Sequence, residues 1–251
     1  MNTKTALITG GSRGLGRDMA LSLAKKGVDI IFSYHSNTAK AEDVINEIKA
    51  LGQDAKAFLF DANDYKSGQA FIASATNYLK EKNDSPNFDF LINNAGTGTF
   101  NIVANTTEDQ FNEMMNVHLK SVYFMTQAAL PFLNTGGRII NISSGLTRFS
   151  LPGMSSYAIM KGAIEVFTRY LAKELGDRKI TANTVAPGAI ATDFAGGSNK
   201  AEDKVKMIAS VTALGRIGEA EDIGGVVAFL CSDDAGWINA QRIEVSGGML
   251  V

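Results

Sequence analysis

Short apolar runs alternate along the chain with longer segments in which apolar positions recur every three or four residues. The short runs predict β-strands, and the longer segments predict amphipathic helices. The predicted strands are Thr5–Thr9, Val28–Ser33, Ala55–Phe60, Phe88–Ile92, Arg138–Ile142, Lys179–Ala186 and Gln241–Val245. Because strands and helices alternate through the whole length, we expect an α/β fold with a doubly wound parallel sheet of about seven strands.

The longest helical pattern, Glu108–Leu133, predicts one or two helices with Asn116 in the middle. Asparagine is a poor former of helix interiors, so Asn116 either marks a break or faces inward for a functional reason. The other predicted helices are Leu15–Lys26, Asn37–Leu51, Tyr65–Lys82, a helix that carries Tyr157 and ends near Gly176, Lys200–Val211 and Asp222–Cys231. Glycines at 196 and 197 indicate a hinge, and we expect a mobile substrate loop around residues 189–214.

Length and composition favour one domain, residues 1–251, and exclude several functions. A formal charge of −2 without a basic cluster argues against a nucleic-acid partner. Cys231 is the single cysteine, which excludes an intrachain disulfide and a thiolate metal cluster, and we expect no metal site. The first strand begins at Thr5 and no apolar run approaches ~20 residues, so we expect a cytoplasmic protein without a signal peptide or a membrane partner.

The turn after the first strand contains four glycines and leads directly into a helix. In such a turn, backbone N–H groups and the helix N-terminus face an anion, and glycine allows a pyrophosphate to approach closely. A nucleotide-hydrolysing P-loop is disfavoured because Arg17 and Asp18 stand where lysine and serine or threonine are required. A plain tight turn is the alternative to a dinucleotide site. The candidate cofactor residues here are Gly10, Ser12, Arg13, Gly14, Leu15 and Gly16.

The end of the second strand bears on the choice of cofactor. An NAD site usually places an acidic residue near this point, where it binds the ribose 2′-hydroxyl. Tyr34 occupies that place here, and Arg13 lies in the glycine turn. A missing carboxylate and a nearby cation favour NADP, with NAD as the alternative. His35 and Ser36 are further candidates for this contact.

The stretch from Ser144 to Lys161 contains groups suited to acid–base chemistry. If the run after Gly153 is helical, Tyr157 and Lys161 lie one turn apart on the same face. A cation beside a phenol favours the phenolate, so we expect Lys161 to lower the pKa of Tyr157. Such a tyrosine can exchange a proton with an oxygen on a reacting carbon, and Ser144 can hydrogen-bond the same oxygen.

Taken together, these pieces resemble the short-chain dehydrogenase/reductase family nearly from end to end. Each piece is weak alone, but their order and their positions after strands are specific. They are Thr9–Gly16 (TGGSRGLG), Asp61, Asn93–Gly96 (NNAG), Asn116, Ser144, Tyr157–Lys161 (YAIMK), Pro187-Gly188 and Thr192. The resemblance implies a Rossmann fold and a nicotinamide cofactor.

The resemblance also implies site residues and an assembly. The family's catalytic set falls on Asn116, Ser144, Tyr157 and Lys161. Family members commonly form homotetramers through the catalytic helices and the C-terminal segment, and we expect the same here. Beyond the glycine turn and Tyr34–Ser36, the implied cofactor contacts are Asp61, Ala62, Asn94, Ala95, Gly96, Tyr157, Lys161, Pro187, Gly188, Ile190 and Thr192.

Within the family, the chain looks like the 3-oxoacyl-[acyl-carrier-protein] reductases and related ketone reductases. Carrier-protein reductases commonly have basic residues before the fifth strand, whereas this chain has no charge there until Arg138; Arg178 is the remaining basic candidate. We therefore favour reduction of a small apolar ketone, or oxidation of the alcohol, over reduction of a carrier-bound chain. A non-catalytic dinucleotide sensor is a remote alternative. The candidate pocket residues are Gly145, Leu146, Phe149, Met154, Ile190, Phe194 and Met207.

Overall fold

The computed structural model describes residues 3–251, and these contain one seven-stranded sheet. The strands are β1 (Thr5–Ile8), β2 (Asp29–Tyr34), β3 (Ala55–Leu59), β4 (Phe88–Asn93), β5 (Leu133–Ile142), β6 (Thr181–Pro187) and β7 (Arg242–Val245). Their order across the sheet is β3-β2-β1-β4-β5-β6-β7, and every neighbouring pair is parallel. The predicted doubly wound parallel sheet is confirmed.

Eight α-helices connect the strands. They are α1 (Gly14–Ala24), α2 (Thr38–Ala50), α3 (Tyr65–Asn83), α4 (Glu108–Met115), α5 (Ser121–Ala129), α6 (Ser155–Glu174), α7 (Glu202–Ser210) and α8 (Glu221–Leu230). Polar side chains begin several of them: the Asn37 carboxamide accepts from Lys40 N at 2.9 Å, and Thr107 forms a capping box with Gln110. These caps satisfy N–H groups that a helix leaves without partners.

The apolar core lies in two layers, one on each face of the sheet. Side chains alternate along β1, so that Ala6 and Ile8 pack with Met19 of α1, whereas Leu7 faces the opposite layer with Phe71 of α3. All five side chains are fully buried or nearly so. Burial on both faces explains why the strands read as continuous apolar runs in the sequence.

Two regions differ from the sequence-based expectation. Strand β5 begins at Leu133, five residues earlier than predicted, because Leu133 pairs with Phe88 before the register shifts. Glycine and polar residues at 134–137 hide this extended segment from an apolar pattern. The long helix predicted over Glu108–Leu133 is divided: a π-helical turn, Asn116–Lys120, joins α4 to α5. Of the two alternatives for Asn116, the irregular turn corresponds to the break in the helix.

Three further features concern function: membrane-spanning helices, metal sites and the reactivity of the cysteine. None of the helices in the described part of the chain is long and apolar enough to cross a membrane. Between residues 3 and 251, no group of three or more His, Cys, Asp or Glu side chains is arranged to hold a metal ion. Cys231 is buried, and burial raises the pKa of its thiol to about 12. A thiol of that acidity is a poor nucleophile.

Candidate active site

The carboxyl ends of β1, β4, β5 and β6 bring four loops to one edge of the sheet. In open α/β sheets, ligands bind at this edge beside the point where the strand order reverses, which here lies between β1 and β4. The predicted catalytic and cofactor residues lie in these loops, in the loops after β2 and β3, and on the helices that follow.

The glycine turn after β1 has a backbone that side chains would disrupt. Gly10 and Gly14 have φ angles of +69° and +53°, in the left-handed region that favours glycine. A Cβ added to Gly16 would lie 2.1 Å from the Gly10 carbonyl oxygen. The turn is therefore folded tightly against the start of α1. Because its glycines carry no side chains, a ligand can approach the backbone closely.

The first turn of α1 fits an anionic group. Arg13 precedes the helix, and no side chain caps it. Its N–H groups and the positive end of the helix dipole are therefore available to a pyrophosphate. The loop after β6 reaches the same place, because the Thr192 side chain lies 3.5 Å from the position of a Cβ on Gly14. These features fit the phosphates of a dinucleotide.

Basic residues collect beside this turn. Lys200 lies 2.6 Å from Asp193, and Lys40, at the start of α2, lies 4.0 Å from it. The hydrogen bond from Lys200 lowers the pKa of the Asp193 carboxyl, and the charges of Lys200, Lys40 and Arg13 lower it further. Lys40 was not among the residues expected from the sequence. The sequence signal that could have identified Lys40 is its position in the first turn of α2, directly after Tyr34–Ser36.

Of the three candidates for cofactor choice after β2, Tyr34 ends the strand and is half-buried against the core. His35 and Ser36 are exposed. Sequence reasoning missed Ser33, whose buried hydroxyl accepts from Gly10 N at 3.1 Å and fixes the glycine turn to β2.

The NNAG motif ties β4 to the glycine turn. The Asn94 carboxamide donates to Thr9 O at 2.8 Å and to Gly10 O at 3.3 Å. Backbone N–H groups of Asn94 and Ala95 both donate to the Thr9 hydroxyl at 2.9 Å. Asp61 is exposed after β3, where its carboxylate accepts from Asn63 N at 2.9 Å; Ala62 follows it directly.

Helix α6 carries Tyr157 and Lys161 on one face, as the spacing predicts. Their residues are only 7% and 4% exposed, respectively. The Lys161 ammonium donates to Ile142 O, at the end of β5, at 2.7 Å and lies 5.6 Å from the centroid of the Tyr157 ring. Burial lowers the pKa of Lys161 to about 8. The pair is therefore built into the sheet edge and does not lie on an exposed helix face.

Ser144 comes beside Tyr157 from the end of β5. It caps the short 3₁₀ helix Gly145–Thr147, and its hydroxyl accepts from Leu146 N at 3.2 Å. Burial raises the pKa of Tyr157 above its ordinary value, and hydrogen bonding with Ser144 acts in the opposite direction. The expectation of a lowered pKa is wrong for the chain's own groups, because burial outweighs the effects that favour the phenolate. The Lys161 ammonium is bonded to Ile142 O and lies 5.6 Å from the centroid of the Tyr157 ring.

A network of hydrogen bonds around Arg242 and Glu165 supports the backbone of Ser144. Arg242 of β7 donates to Ser144 O at 3.2 Å and to a Glu165 carboxylate oxygen at 2.8 Å. The same Glu165 oxygen accepts from the hydroxyls of Ser143 and Thr147, each at 2.7 Å. Glu165 and Arg242 were missed in the sequence, although Glu165 lies eight residues after Tyr157 and so shares its helix face.

Asn116 begins the π-helical turn, and among the described residues its side chain has no hydrogen bond to Ser144, Tyr157 or Lys161. Its carboxamide donates to Asn63, in the loop before α3, at 3.2 Å. The polar side chain that this turn places at Tyr157 is His118, which is 1% exposed and lies edge-on with ring centroids 4.9 Å apart. His118 was not singled out from the sequence; its position two residues after Asn116, in the disturbed helix, is the only signal.

Three of the predicted pocket residues lie together. Leu146, Met154 and Phe194 pack with Tyr157, and the Phe194 and Tyr157 ring centroids are 5.8 Å apart. Leu146 and Met154 also line a cavity of about 420 Å³ with Ile102 and other residues of the loops after β4 and β5. The cavity is predominantly apolar, and its walls include Leu146 and Met154, which also pack with Tyr157.

The structure places the remaining predicted residues elsewhere or in supporting roles. Phe149 packs against Gly145, where a Cβ would lie 2.9 Å from the ring. Ile190 is buried in the core against Gly218, and Met207 is 55% exposed on α7. Pro187 ends β6, and Gly188 is packed against Ser246. Met207 therefore lies on the solvent face of the short helix α7.

Comparison with known proteins identifies the family. The family model described as enoyl-(acyl carrier protein) reductase matches residues 10–250. The short chain dehydrogenase mdpC of Emericella nidulans is 37% identical over 260 aligned residues, covering 98% of this chain and 94% of the relative. The chain belongs to the short-chain dehydrogenase/reductase family. The predicted family and the oxidoreductase class are therefore confirmed.

Two further members of the short-chain dehydrogenase/reductase family are similar over nearly the whole chain. The 3-oxoacyl-[acyl-carrier-protein] reductase FabG of Staphylococcus aureus is 36% identical over 249 residues, covering 98% of each protein. The angucycline C-6 ketoreductase LanV, solved with bound NADP, is 35% identical with a TM-score of 0.94, covering 98% of this chain and 95% of LanV. Both names describe reductases of carbonyl groups.

Proposed function

We propose that this short-chain dehydrogenase/reductase reduces an apolar ketone to a secondary alcohol, with Tyr157 as the proton donor. The arrangement of Ser144, Tyr157 and Lys161 at the sheet edge carries this proposal. A tyrosine is ordinarily a protonated phenol at neutral pH, and burial, which raises the pKa of Tyr157, keeps it so. A phenol that keeps its proton suits donation to a developing alkoxide.

The chain's own residues account for the proton and for the orientation of the substrate. A nicotinamide cofactor, when bound, supplies the hydride for the carbonyl carbon. The Ser144 and Tyr157 hydroxyls hydrogen-bond the carbonyl oxygen, where negative charge grows, and Tyr157 then transfers its proton to that oxygen. The Lys161 ammonium stabilises the phenolate that results. Leu146, Met154 and Phe194 exclude water from the reacting carbonyl.

The cofactor we propose is NADPH. The uncapped start of α1 and the tight glycine turn would hold the pyrophosphate, and Asn94 and Thr192 would flank the nicotinamide half. No carboxylate follows β2 to bind a ribose 2′-hydroxyl, whereas Arg13 and Lys40 offer positive charge for a 2′-phosphate. The bound NADP in the similar LanV structure supports the same choice.

The cofactor proposal predicts that kcat/KM is higher with NADPH than with NADH, and that Arg13→Ala removes most of this preference. A charge-assisted hydrogen bond contributes roughly 1.5–3 kcal/mol, so KM for NADPH should rise about tenfold or more while KM for NADH changes little. Steady-state kinetics with both cofactors measure the ratio. Lys25→Ala, at the far end of α1, is the matched control. A wild-type ratio well below one would contradict the assignment.

The cavity beside Tyr157 supports a free ketone as substrate. It is lined mainly by apolar side chains, including Ile102, Leu146 and Met154. The two basic residues considered for a carrier-protein surface both bind backbone carbonyls of this chain: the half-buried Arg178 donates to Leu130 O at 2.8 Å, and the buried Arg138 donates to Gly137 O at 3.1 Å. Similarity to FabG keeps the carrier-bound 3-oxoacyl chain as the second candidate.

A substrate panel tests the proposed function. Aromatic and aliphatic ketones, a carrier-protein 3-oxoacyl thioester and an enoyl thioester are each assayed with NADPH and NADH. We expect turnover of free ketones with NADPH. Activity confined to the carrier thioester would favour the second candidate, activity confined to the enoyl thioester would overturn carbonyl reduction, and no turnover with any substrate would favour the dinucleotide sensor.

Segment 189–214 is proposed to close over the substrate. Phe194 already packs on Tyr157, and the following residues Ala195, Gly196 and Gly197 all have positive φ angles. Two adjacent glycines in this conformation allow the backbone to reorient with little steric cost. The segment therefore has the features of a hinged lid that carries one wall of the pocket.

The assembly proposed is the homotetramer implied by family resemblance. Apolar side chains on α5 and α6, the helices at the active site, reach solvent: Tyr123, Val166 and Tyr170 are 44%, 44% and 61% exposed. Such a surface is typical of an interface between subunits. It supports association through the catalytic helices.

A further inference from the structure

His118 is a buried histidine in the π-helical turn between α4 and α5. Its Nε2 atom lies 2.7 Å from Thr97 O. A carbonyl oxygen only accepts hydrogen bonds, so Nε2 carries a proton, and in the uncharged ring Nδ1 is the bare nitrogen. Among the described residues, Nδ1 has no hydrogen-bond partner.

The surroundings of His118 favour the uncharged ring. Burial is the largest cause that lowers its pKa well below the ordinary value, and the charge of Lys161 lowers it further. The hydrogen bond to Thr97 O acts in the opposite direction and is outweighed. An imidazolium at this place would be both desolvated and repelled by the nearby ammonium.

The imidazole connects two parts of the active site, the Tyr157 ring and the segment after β4. Its ring meets the Tyr157 ring edge-on, with an interplanar angle of 86°. Its Nε2–H bond to Thr97 O holds the segment after β4, and a Cβ on Gly96 would lie only 2.8 Å from its Cε1 atom. Phe194 contacts the Tyr157 ring as well. His118 therefore packs the catalytic ring against the loop that follows the NNA motif.

We propose that His118 is a positioning residue for the catalytic phenol: it holds Tyr157 in register with the Gly96–Thr97 backbone through one ring contact and one hydrogen bond. The proposal rests on the proposed ketone reduction with Tyr157 as acid. A misplacement of a reacting group by about 1 Å costs roughly 100-fold in rate, which sets the scale of the effect.

Three substitutions separate the two contacts. His118→Phe keeps a ring against Tyr157 but removes the donor to Thr97 O. His118→Gln can place an N–H at the Nε2 position, whereas His118→Asn is too short to reach Thr97 O. We expect kcat to fall about 10- to 100-fold in His118→Phe and in His118→Asn, and to recover at least severalfold in His118→Gln.

The split between kinetic constants distinguishes positioning from general packing. KM for the ketone should stay within about threefold in all three variants, because the cavity residues are unchanged. Met114→Leu alters another fully buried side chain of the cluster that contains Tyr157 and conserves its volume, so its kcat should stay within about twofold. Thermal unfolding of each variant confirms that folded protein is assayed.

A spectroscopic readout does not depend on activity. Long-range ¹H–¹⁵N spectra should show one histidine protonated at Nε2 and bare at Nδ1, and this signal should be lost in His118→Phe. His35 is the only other histidine and is exposed, so the two signals are assigned by difference. A His118 ring protonated at Nδ1 would overturn the contact to Thr97 O.

Failure of the inference and failure of the proposed function have different results. If wild-type protein reduces no ketone, the proposed function fails. If wild type is active but His118→Phe keeps kcat within about twofold, the positioning role is overturned. Should His118→Phe not fold, equal kcat values for His118→Gln and His118→Asn overturn it in the same way, and a severalfold advantage for Gln supports it.

Discussion

Tyr157→Phe is expected to lower kcat for ketone reduction by about three orders of magnitude. General acid catalysis by a positioned side chain contributes roughly 10²- to 10⁴-fold, and the phenol is hydrogen-bonded with Ser144. The ring remains, so its contacts with His118 and Phe194 are kept and the pocket retains its shape. Cofactor affinity, measured by titration of protein fluorescence, should change by less than about fivefold.

Tyr170→Phe is the control for this change. Tyr170 lies on the same helix but is 61% exposed, and its substitution should leave kcat within about twofold of wild type. A Tyr157→Phe protein that keeps a tenth or more of wild-type kcat would mean that another group donates the proton. Loss of cofactor binding in Tyr157→Phe would instead indicate a structural role for the hydroxyl.

The architecture was predictable because burial leaves a clear periodic signal. Most strands between Thr5 and Val245 were found within a few residues, since the central strands β1, β2 and β4 are apolar on both faces. The start of β5 was not found, because its first residues include Gly136 and Gly137 and pair only at Leu133. A pattern of apolar residues reveals only buried strands. The first residues of β5 are extended but not apolar, so the pattern does not reveal them.

The catalytic pair was predictable for a different reason. Tyr157 and Lys161 lie four residues apart, and a regular helix places such residues on the same face whatever surrounds it. Asn116 and His118 lie in a π-helical turn, where the regular relation between position and face fails. No pattern based on 3.6 residues per turn distinguishes which of the two faces Tyr157.

Contacts between segments that are distant in the chain could not be predicted from the sequence. Arg242 and Ser144 are brought together by the pairing of β6 with both β5 and β7, and nothing local in either segment indicates the contact. The direction of the Tyr157 pKa was also unpredictable, because it depends on the depth of burial and on where the Lys161 ammonium is bonded. Both are properties of the packed protein.

Lys161→Met is expected to abolish turnover and at the same time to stabilise the fold. The substitution removes the cation that stabilises the phenolate of Tyr157, and we expect kcat to fall at least 100-fold, with weaker cofactor binding if the ammonium also holds the ribose. Methionine has nearly the length of lysine, so no large cavity is left. Lys173→Met, an exposed lysine on the same helix, is the matched control for both measurements.

The stability gain follows from the sign of the Lys161 pKa shift. Burial lowers this pKa from 10.5 to about 8, so folding at neutral pH forces a charged ammonium into a site that favours the neutral amine. A shift of that size corresponds to about 3 kcal/mol, and the lost hydrogen bond to Ile142 O offsets about 1 kcal/mol of the gain.

The Lys161→Met variant should therefore unfold about 5 °C higher at pH 7. The gain should be complete below about pH 8 and should turn into a small loss above about pH 10.5, where lysine is neutral in both states and only the lost hydrogen bond to Ile142 O counts. Thermal scans across this range measure it, and an equal or lower Tm for Lys161→Met at pH 7 would show that the buried ammonium is not destabilising.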